Sequence, residues 1–337
     1  MTTTAPPAAD PPEALNPYRD SLLAGRGTSS GGDKVFSGLV RGASVIVIVL
    51  VTLTGAFLLW KATPSLLDNT ANFLTDRVWQ PATTPPAFGI AALLWTTVLA
   101  SAFAMLLAVP VAVGLALFIT QYAPRRAARP VAYLIDLLAA IPSIIYGLWG
   151  IRVLGPVIAG PDSSVRVHIE QALGWIPLFD KTGVSQGTVF LAAIVLAIMI
   201  LPIITAISRE VFDQTPLPNK EAALALGATR WEMIRTAVLP FGKPGVISAA
   251  MLGLGRALGE TIAVTIILSQ PSSLDKFDLS IFYGGETFAS KIANNASEFS
   301  TPQKTGAYIA AGLVLFVLTF AVNAVARLVI ARTARED

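Results

Sequence analysis

Arg256 and Glu260 are two charged residues inside the otherwise apolar segment 251–264. A charge near the middle of a membrane-spanning helix costs on the order of 2.5–3.5 kcal/mol, so such residues usually face a protein interior and serve a function. Their i, i+4 spacing predicts that both lie on one face of a continuous helix, within pairing distance. Gly255 and Gly259 precede them by one residue each and predict the close approach of another helix.

Two roles fit this pair of charges. The guanidinium of Arg256 offers planar, bidentate donors that match a phosphate or sulfate oxyanion. Glu260 would repel a fully deprotonated oxyanion but can accept a hydrogen bond from one that carries a proton. Phosphate carries protons at neutral pH and sulfate does not, so the pair favours phosphate. The alternative is an ion pair that only joins helices, and the sequence leaves open whether Arg256 contacts the anion.

The composition excludes an ordinary soluble protein. Hydrophobic residues make up 54% of the 337 residues and charged residues 13%, whereas soluble domains have about 25% charged residues. The net charge of +3 indicates basic cytoplasmic loops of a membrane protein rather than a nucleic-acid interface. The chain has no cysteine, and its one histidine, His168, falls in a predicted loop. We therefore expect no thiol chemistry, no metal site and no enzymatic activity.

Six segments are apolar and long enough to cross a bilayer core of ~30 Å at ~1.5 Å per residue. The uncharged run 88–123 is long for one helix and short for two. The positive-inside rule favours one crossing, because Arg125, Arg126 and Arg129 follow the run directly. We predict an all-α integral membrane protein with spans at about 42–60, 95–120, 135–154, 188–208, 245–269 and 305–326.

With six crossings, most of the Lys and Arg residues fall on one side of the membrane, together with both termini and the loop 209–244. The positive-inside rule makes that side the cytoplasm. Residues 1–35 are rich in Ala, Pro, Gly, Ser and Thr, which predicts a disordered cytoplasmic tail. Residues 36–337 are predicted to form the membrane domain.

The loop 209–244 carries a polar, helix-favouring segment with regularly spaced small residues. Alanine and leucine favour a helix here, Gly227 is expected to end it, and Pro240 is not expected to continue a helix from upstream. The small side chains would let this helix lie close against another protein, although an ordinary amphipathic loop helix is the alternative. The residues of the pattern are Glu221, Ala222, Ala223, Gly227, Leu239 and Pro240.

That spacing, EAA-x3-G followed by Leu-Pro, resembles the cytoplasmic coupling loop of the permease subunits of bacterial ABC importers, with Ala237 where isoleucine is usual. The segment GLGRALGETIAV at 253–264 is similar to the signature of phosphate-specific ABC permeases, the PstC and PstA subunits. The segments AAIPSIIYGLWG at 139–150 and ISREVF at 207–212 look more like PstC. The resemblance covers about 36–335 and implies a six-helix, MetI-like permease fold in the bacterial cytoplasmic membrane.

The resemblance also implies function and partners. It assigns Arg256 and Glu260 to the translocation path of an ATP-driven phosphate importer, with another oxyanion such as sulfate or molybdate as the alternative substrate. It assigns the EAA pattern to the contact with an ATPase. The implied partners are a PstA-like second permease, two copies of a PstB-like ATPase, a PstS-like extracytoplasmic phosphate-binding protein and membrane lipid. We expect no cofactor in this chain, since it lacks the phosphate-binding loop G-x-x-x-x-G-K-[ST]; the ATPase would bind ATP and Mg.

Overall fold

The computed structural model describes residues 31–160, 163–180, 187–269 and 279–336. Most of these residues are helical. The helices are α1 (Gly31–Asp68), α2 (Ala91–Leu117), α3 (Arg125–Ala139), α4 (Ser143–Trp149), α5 (Ser164–Leu173), α6 (Val189–Asp213), α7 (Leu217–Ala225), α8 (Arg230–Met233), α9 (Leu239–Gly259), α10 (Ile262–Ile267), α11 (Phe288–Asn294) and α12 (Pro302–Glu336).

The predicted tail lies mostly outside the described residues, because the description begins at Gly31. Residues 31–35 belong to α1, so the prediction of a disordered tail is wrong for them. No proline separates them from the apolar residues of the first span, so the helix can extend toward the N-terminus. The chain forms two compact units, and the boundary between Thr54 and Gly55 divides α1.

Within the described residues, five helical segments have the length and hydropathy to cross a membrane. The uncharged run 88–123, which is long for one helix and short for two, forms a single helical segment, Ala91–Tyr122. Its last five residues, Phe118–Tyr122, form a π-helical turn, and Pro110 lies inside α2. The other four segments are Gly32–Asp68, Val189–Asp213, Arg230–Gly259 and Pro302–Leu328.

The third predicted span, 135–154, is a pair of helices rather than one. Arg126–Ala139 and Ser143–Ala159 meet at a bend of 91°. The break falls at Pro142, which precedes α4 and has an extended backbone with ψ of 138°. Proline lacks the N–H that would continue the helical hydrogen bonds. Counted as one broken span, this pair brings the number of candidate crossings in the described residues to six.

The core lies between α2 and α6. Four alanines of α2 recur every fourth residue and are almost completely buried. This spacing places them on one helix face, where their small side chains allow the backbone of α6 to approach closely. Residues of α9 and α10 complete the same hydrophobic cluster. The four alanines are Ala100, Ala104, Ala108 and Ala112.

Two short strands form the β-structure seen in the described residues. β1 (Trp79–Gln80) pairs antiparallel with β2 (Ala87–Phe88). The Trp79 ring packs on Phe88 and Tyr308, with ring centroids 5.7 Å and 5.5 Å away. This aromatic cluster fixes the segment between α1 and α2 against the start of α12.

Candidate translocation path and coupling surface

The helix that carries Arg256 ends before Glu260. α9 stops at Gly259, and Glu260 has an extended backbone with φ of −66° and ψ of 121°. The prediction of one continuous helix through both charges is therefore wrong, and the i, i+4 argument that placed them on one face does not apply. Among the described residues no ion pair of 4.0 Å or less joins Arg256 to Glu260.

Glu260 instead stabilises the start of the next helix. Its Oε1 accepts a hydrogen bond from the backbone N–H of Ala263 at 3.1 Å. The first N–H groups of a helix have no partner inside the helix, so a carboxylate there satisfies one of them and favours the positive end of the helix dipole. The side chain that was expected to pair with Arg256 thus caps α10.

Close packing between α4 and α10 positions this break. A Cβ atom at Gly147 would lie 2.9 Å from the Cα of Ala263, so only glycine allows the two backbones to come so near. A Cβ at Gly150 would collide with Val195 of α6 in the same way. These two glycines therefore bring α10 against α4 and α6 against the residue that follows α4.

Arg256 lies half-buried on α9, one helical turn before the break. In the described part of the chain no carboxylate lies within ion-pair distance of the guanidinium. A guanidinium with five donors and no acidic partner can bind an oxyanion without first breaking an ion pair.

One face of α9 next to Arg256 is open. Cβ atoms built at Gly255 and Gly259 meet nothing within 4 Å, and Leu252 is 57% exposed. Residues 252, 255 and 259 lie on one helix face. The helix expected to approach these glycines is not supplied by the described residues of this chain.

The coupling segment forms a short helix with a glycine-dependent end. Glu221 is the fifth residue of α7, which begins directly after Pro216. Gly227 has a φ of +86°, which L-residues with a side chain rarely adopt. The N–H of Gly227 donates to the carbonyl of Leu224 and that of Ala228 to the carbonyl of Ala223. This is a Schellman motif, as the glycine predicted.

Pro240 does not end a helix, contrary to expectation. α8, the π-helical turn Ile234–Val238 and α9 form one segment, Arg230–Gly259. A π-helical turn shifts the hydrogen-bond partners by one residue and occurs where a helix must absorb an irregularity. It precedes Leu239 and Pro240 directly, so the missing N–H of Pro240 falls at the start of a new α-helical register.

Two residues of the EAA pattern, Ala223 and Leu239, pack inward, and the other four are exposed. Ala223 packs against a buried cluster that includes Phe212 and Ile234. Glu221 and Ala222 are exposed. Two further surface residues, Leu226 and Trp231, were not predicted from the sequence and are 90% and 55% exposed. Large apolar side chains at such exposure often mark an interaction surface, and their apolar type within a polar loop was the available signal.

Two buried ion pairs on the predicted external segments were also missed. Arg166 Nε lies 2.6 Å from Glu170 Oε1, and Lys291 Nζ lies 2.7 Å from Glu286 Oε2. The four side chains are at most 10% exposed. Breaking a buried pair costs about 3–5 kcal/mol, so both pairs serve the fold. The i, i+4 spacing of the first pair was readable in the sequence.

The other titratable side chains of the described residues form no metal centre. His168 lies on α5, where its Nδ1 is 2.6 Å from the carbonyl oxygen of Ser164. Across the described ranges no three His, Asp or Glu side chains come together as metal ligands do.

Comparisons with known proteins agree with these motifs. The family profile described as "Binding-protein-dependent transport system inner membrane component" matches residues 108–335. A protein of Mycobacterium tuberculosis named "Phosphate transport system permease protein PstC 2" is 53% identical over 88% of this chain and 91% of its own length. The "Phosphate transport system permease protein PstC" of Mycobacterium leprae is 56% identical over 80% and 84%.

Among solved structures, a chain of a bacterial ABC transporter involved in the import of the acidic polysaccharide alginate aligns with 89% of this chain and 99% of its own length. The TM-score is 0.51 at 19% sequence identity, which supports the predicted permease fold alone. The family description also confirms a multi-pass protein of the inner membrane and a permease without catalytic activity. The chain therefore belongs to the family of binding-protein-dependent transport system inner membrane components, as a PstC-type permease.

Proposed function

We propose that this chain is a permease subunit of an ATP-driven importer of inorganic phosphate and forms half of its translocation pore. The observation that carries the proposal is the identity of 53% with a phosphate transport system permease over 88% of the chain.

The proposed path passes the break in the fifth span. Non-helical backbone at membrane depth is tolerated where it lines a cavity or is buried in protein, and transporters use broken helices at their substrate sites. Arg256 stands one turn before such a break, and phosphate would bind its guanidinium. Glu260 would act mainly by holding α10 in place, and its second carboxylate oxygen could accept a hydrogen bond that a protonated phosphate oxygen donates.

The proposed partners follow from the surfaces that this chain leaves open. The glycine face of α9 suits the close approach of a helix from a PstA-like second permease. The exposed EAA helix, with Leu226 and Trp231 beside it, suits one of two PstB-like ATPase subunits, which would bind ATP and Mg. A PstS-like protein would deliver phosphate from outside. Both termini and α7 would lie in the cytoplasm.

In the proposed cycle, ATP binding closes the two ATPase subunits on each other. α7 moves with its ATPase and, through Ala223 and the buried cluster at Phe212, displaces the cytoplasmic ends of α6 and α8. The helices then reorient around Arg256, which opens the path to one side of the membrane at a time.

Reconstituted transport tests this function. The complex of this chain with its second permease and ATPase, in proteoliposomes with the binding protein, is expected to accumulate radiolabelled phosphate only when ATP is present. Sulfate and molybdate at equal concentration should neither accumulate nor compete. Accumulation of sulfate in preference to phosphate, or uptake that does not require ATP, would refute the proposal.

A further inference from the structure

A groove of about 640 Å³ lies between the C-terminal end of α1 and the start of α12. It is separate from the helix break and from the coupling segment. The residues of its lining that matter here are Trp60, Lys61, Asp68, Phe299, Gln303 and Ile309. We call it the α1–α12 groove.

Direct contacts between the two helices shape this groove. Gln303 Nε2 donates to Asp68 Oδ2 at 2.8 Å, and Ser65 Oγ donates to the backbone carbonyl of Gln303, also at 2.8 Å. Gly306 faces Ser65, and a Cβ atom there would collide with the serine side chain. These contacts hold α1 and α12 in place on the two sides of the groove. A ligand would therefore bind without the entropic cost of ordering them.

The groove contains two charges of opposite sign that do not neutralise each other. In the described part of the chain, neither Lys61 nor Asp68 has an opposite charge within 4.0 Å. Asp68 accepts from Gln303, but a carboxylate has further acceptor sites. The ammonium of Lys61 lies 5.1 Å from the centroid of the Trp60 ring. Tryptophan and lysine are typical of the interface between lipid and water.

Lys61 and Asp68 lie at different depths in the membrane. Seven residues separate them, so they share a helix face and lie about 10 Å apart along the axis. Asp68 is the last residue of α1 and leads into the polar segment that carries the β-hairpin. Lys61 is therefore nearer the membrane centre, and its flexible side chain reaches toward the headgroup level.

We propose that the α1–α12 groove binds the zwitterionic headgroup of an aminophospholipid, phosphatidylethanolamine. Only two methylene groups join the phosphate and the ammonium of this lipid, so both headgroup charges can be met when the Lys61 side chain extends toward Asp68. Lys61 meets the phosphate and Asp68 meets the ammonium, while Phe299 and Ile309 contact the glycerol and the first methylenes. Phosphatidylglycerol would satisfy Lys61 but bring no positive charge to Asp68.

Lipid titration of the purified complex, followed by native mass spectrometry, tests this site. Wild-type complex is expected to bind phosphatidylethanolamine in preference to phosphatidylglycerol with the same acyl chains. The double variant Lys61→Met with Asp68→Asn should lose about fivefold in phosphatidylethanolamine binding, the size expected for two exposed charge contacts. Its binding of phosphatidylglycerol should change much less.

A matched control on the same helix is Lys34→Met with Asp33→Asn, which removes the same two charges elsewhere and should leave lipid binding at the wild-type level. Equal loss of both lipids in the groove variant, or no loss of either, would overturn the site. Equal or tighter binding of phosphatidylglycerol by the wild type would overturn it as well, and that comparison does not depend on any variant folding.

Discussion

Arg256 and Glu260 are four residues apart in sequence but have different roles in the structure. Arg256 remains on a helix without an acidic partner in the described residues, while Glu260 accepts a backbone N–H of α10. A structural ion pair would make the two substitutions equivalent. The observed contacts make them different, and transport assays can separate the two cases.

We predict that Arg256→Gln abolishes phosphate uptake while the complex still assembles and hydrolyses ATP. Glu260→Gln should keep assembly and most of the uptake, because the amide oxygen can still accept the Ala263 N–H. Uptake in proteoliposomes and the yield of intact complex are the measurements. Arg152→Gln is the matched control, since Arg152 is exposed in the π-helical segment after α4. Uptake near the wild-type rate in Arg256→Gln would remove this residue from the path.

Glu298 offers a test by pH on a segment outside the membrane spans. A hydrogen bond from Asn295 Nδ2 at 2.7 Å holds the pKa of Glu298 below its ordinary value of 4.5. A lowered pKa contributes stability above the unfolded-state pKa, and this stability disappears as the pH falls through the folded-state pKa. We predict that Asn295→Ala lowers the thermal stability at neutral pH and that the difference from wild type shrinks below about pH 4.5. A difference that stays constant or grows on acidification would contradict this origin.

At the scale of elements, the C-terminal end of α7 and the N-terminal end of α8 position the coupling surface. α7 is a nine-residue helix, which is too short to be stable alone. Its C-terminal Schellman motif and the packing of Ala223 on the buried cluster hold it. α8 begins with a capping box between Thr229 and Glu232. The turn between α7 and α8 is thus defined from both sides, and Gly227 is its least replaceable residue.

We predict that Gly227→Leu reduces phosphate-stimulated ATPase activity and weakens retention of the ATPase subunit. The left-handed backbone costs about 1–2 kcal/mol for a residue with a side chain, and nothing crowds the position sterically, so the conformation alone causes the effect. Gly227→Asn should restore much of the coupling, since asparagine tolerates this region. Gly114→Leu is the control, because that glycine also has open space but no positive φ. Equal defects at both positions would argue against a backbone cause.

At the scale of the whole molecule, the proposed six-crossing topology places α5 outside and α7 inside. The parent chain has no cysteine, so single cysteines report without background. We predict that Ser164→Cys reacts with an impermeant thiol reagent in intact cells, while Ala225→Cys reacts only after the membrane is opened. Both residues are exposed. Labelling of Ala225→Cys in intact cells would refute the six-crossing topology and the assignment of the coupling surface to the cytoplasm.

The sequence by itself determined the class of protein, most of its spans and its coupling helix. These depend on signals that a short stretch of chain contains: apolar length, flanking arginines, and a glycine where a helix must end. The arginines that follow the run 88–123 predicted one crossing there, and Gly227 predicted the end of α7. The motifs at 139–150 and 253–264 were sufficient for the family.

Only the tertiary structure decided how Arg256 and Glu260 are arranged and which groups they contact. Their spacing favours a helical pair, and no neighbouring residue in sequence contradicts that pairing. The helix breaks there because α10 packs on α4, where Gly147 meets Ala263, and these residues are more than 100 positions apart. A local sequence pattern indicates the conformation that a segment prefers. Packing between segments distant in sequence can offset the one or two backbone hydrogen bonds lost where a helix breaks. The functional geometry of this permease depends on such contacts.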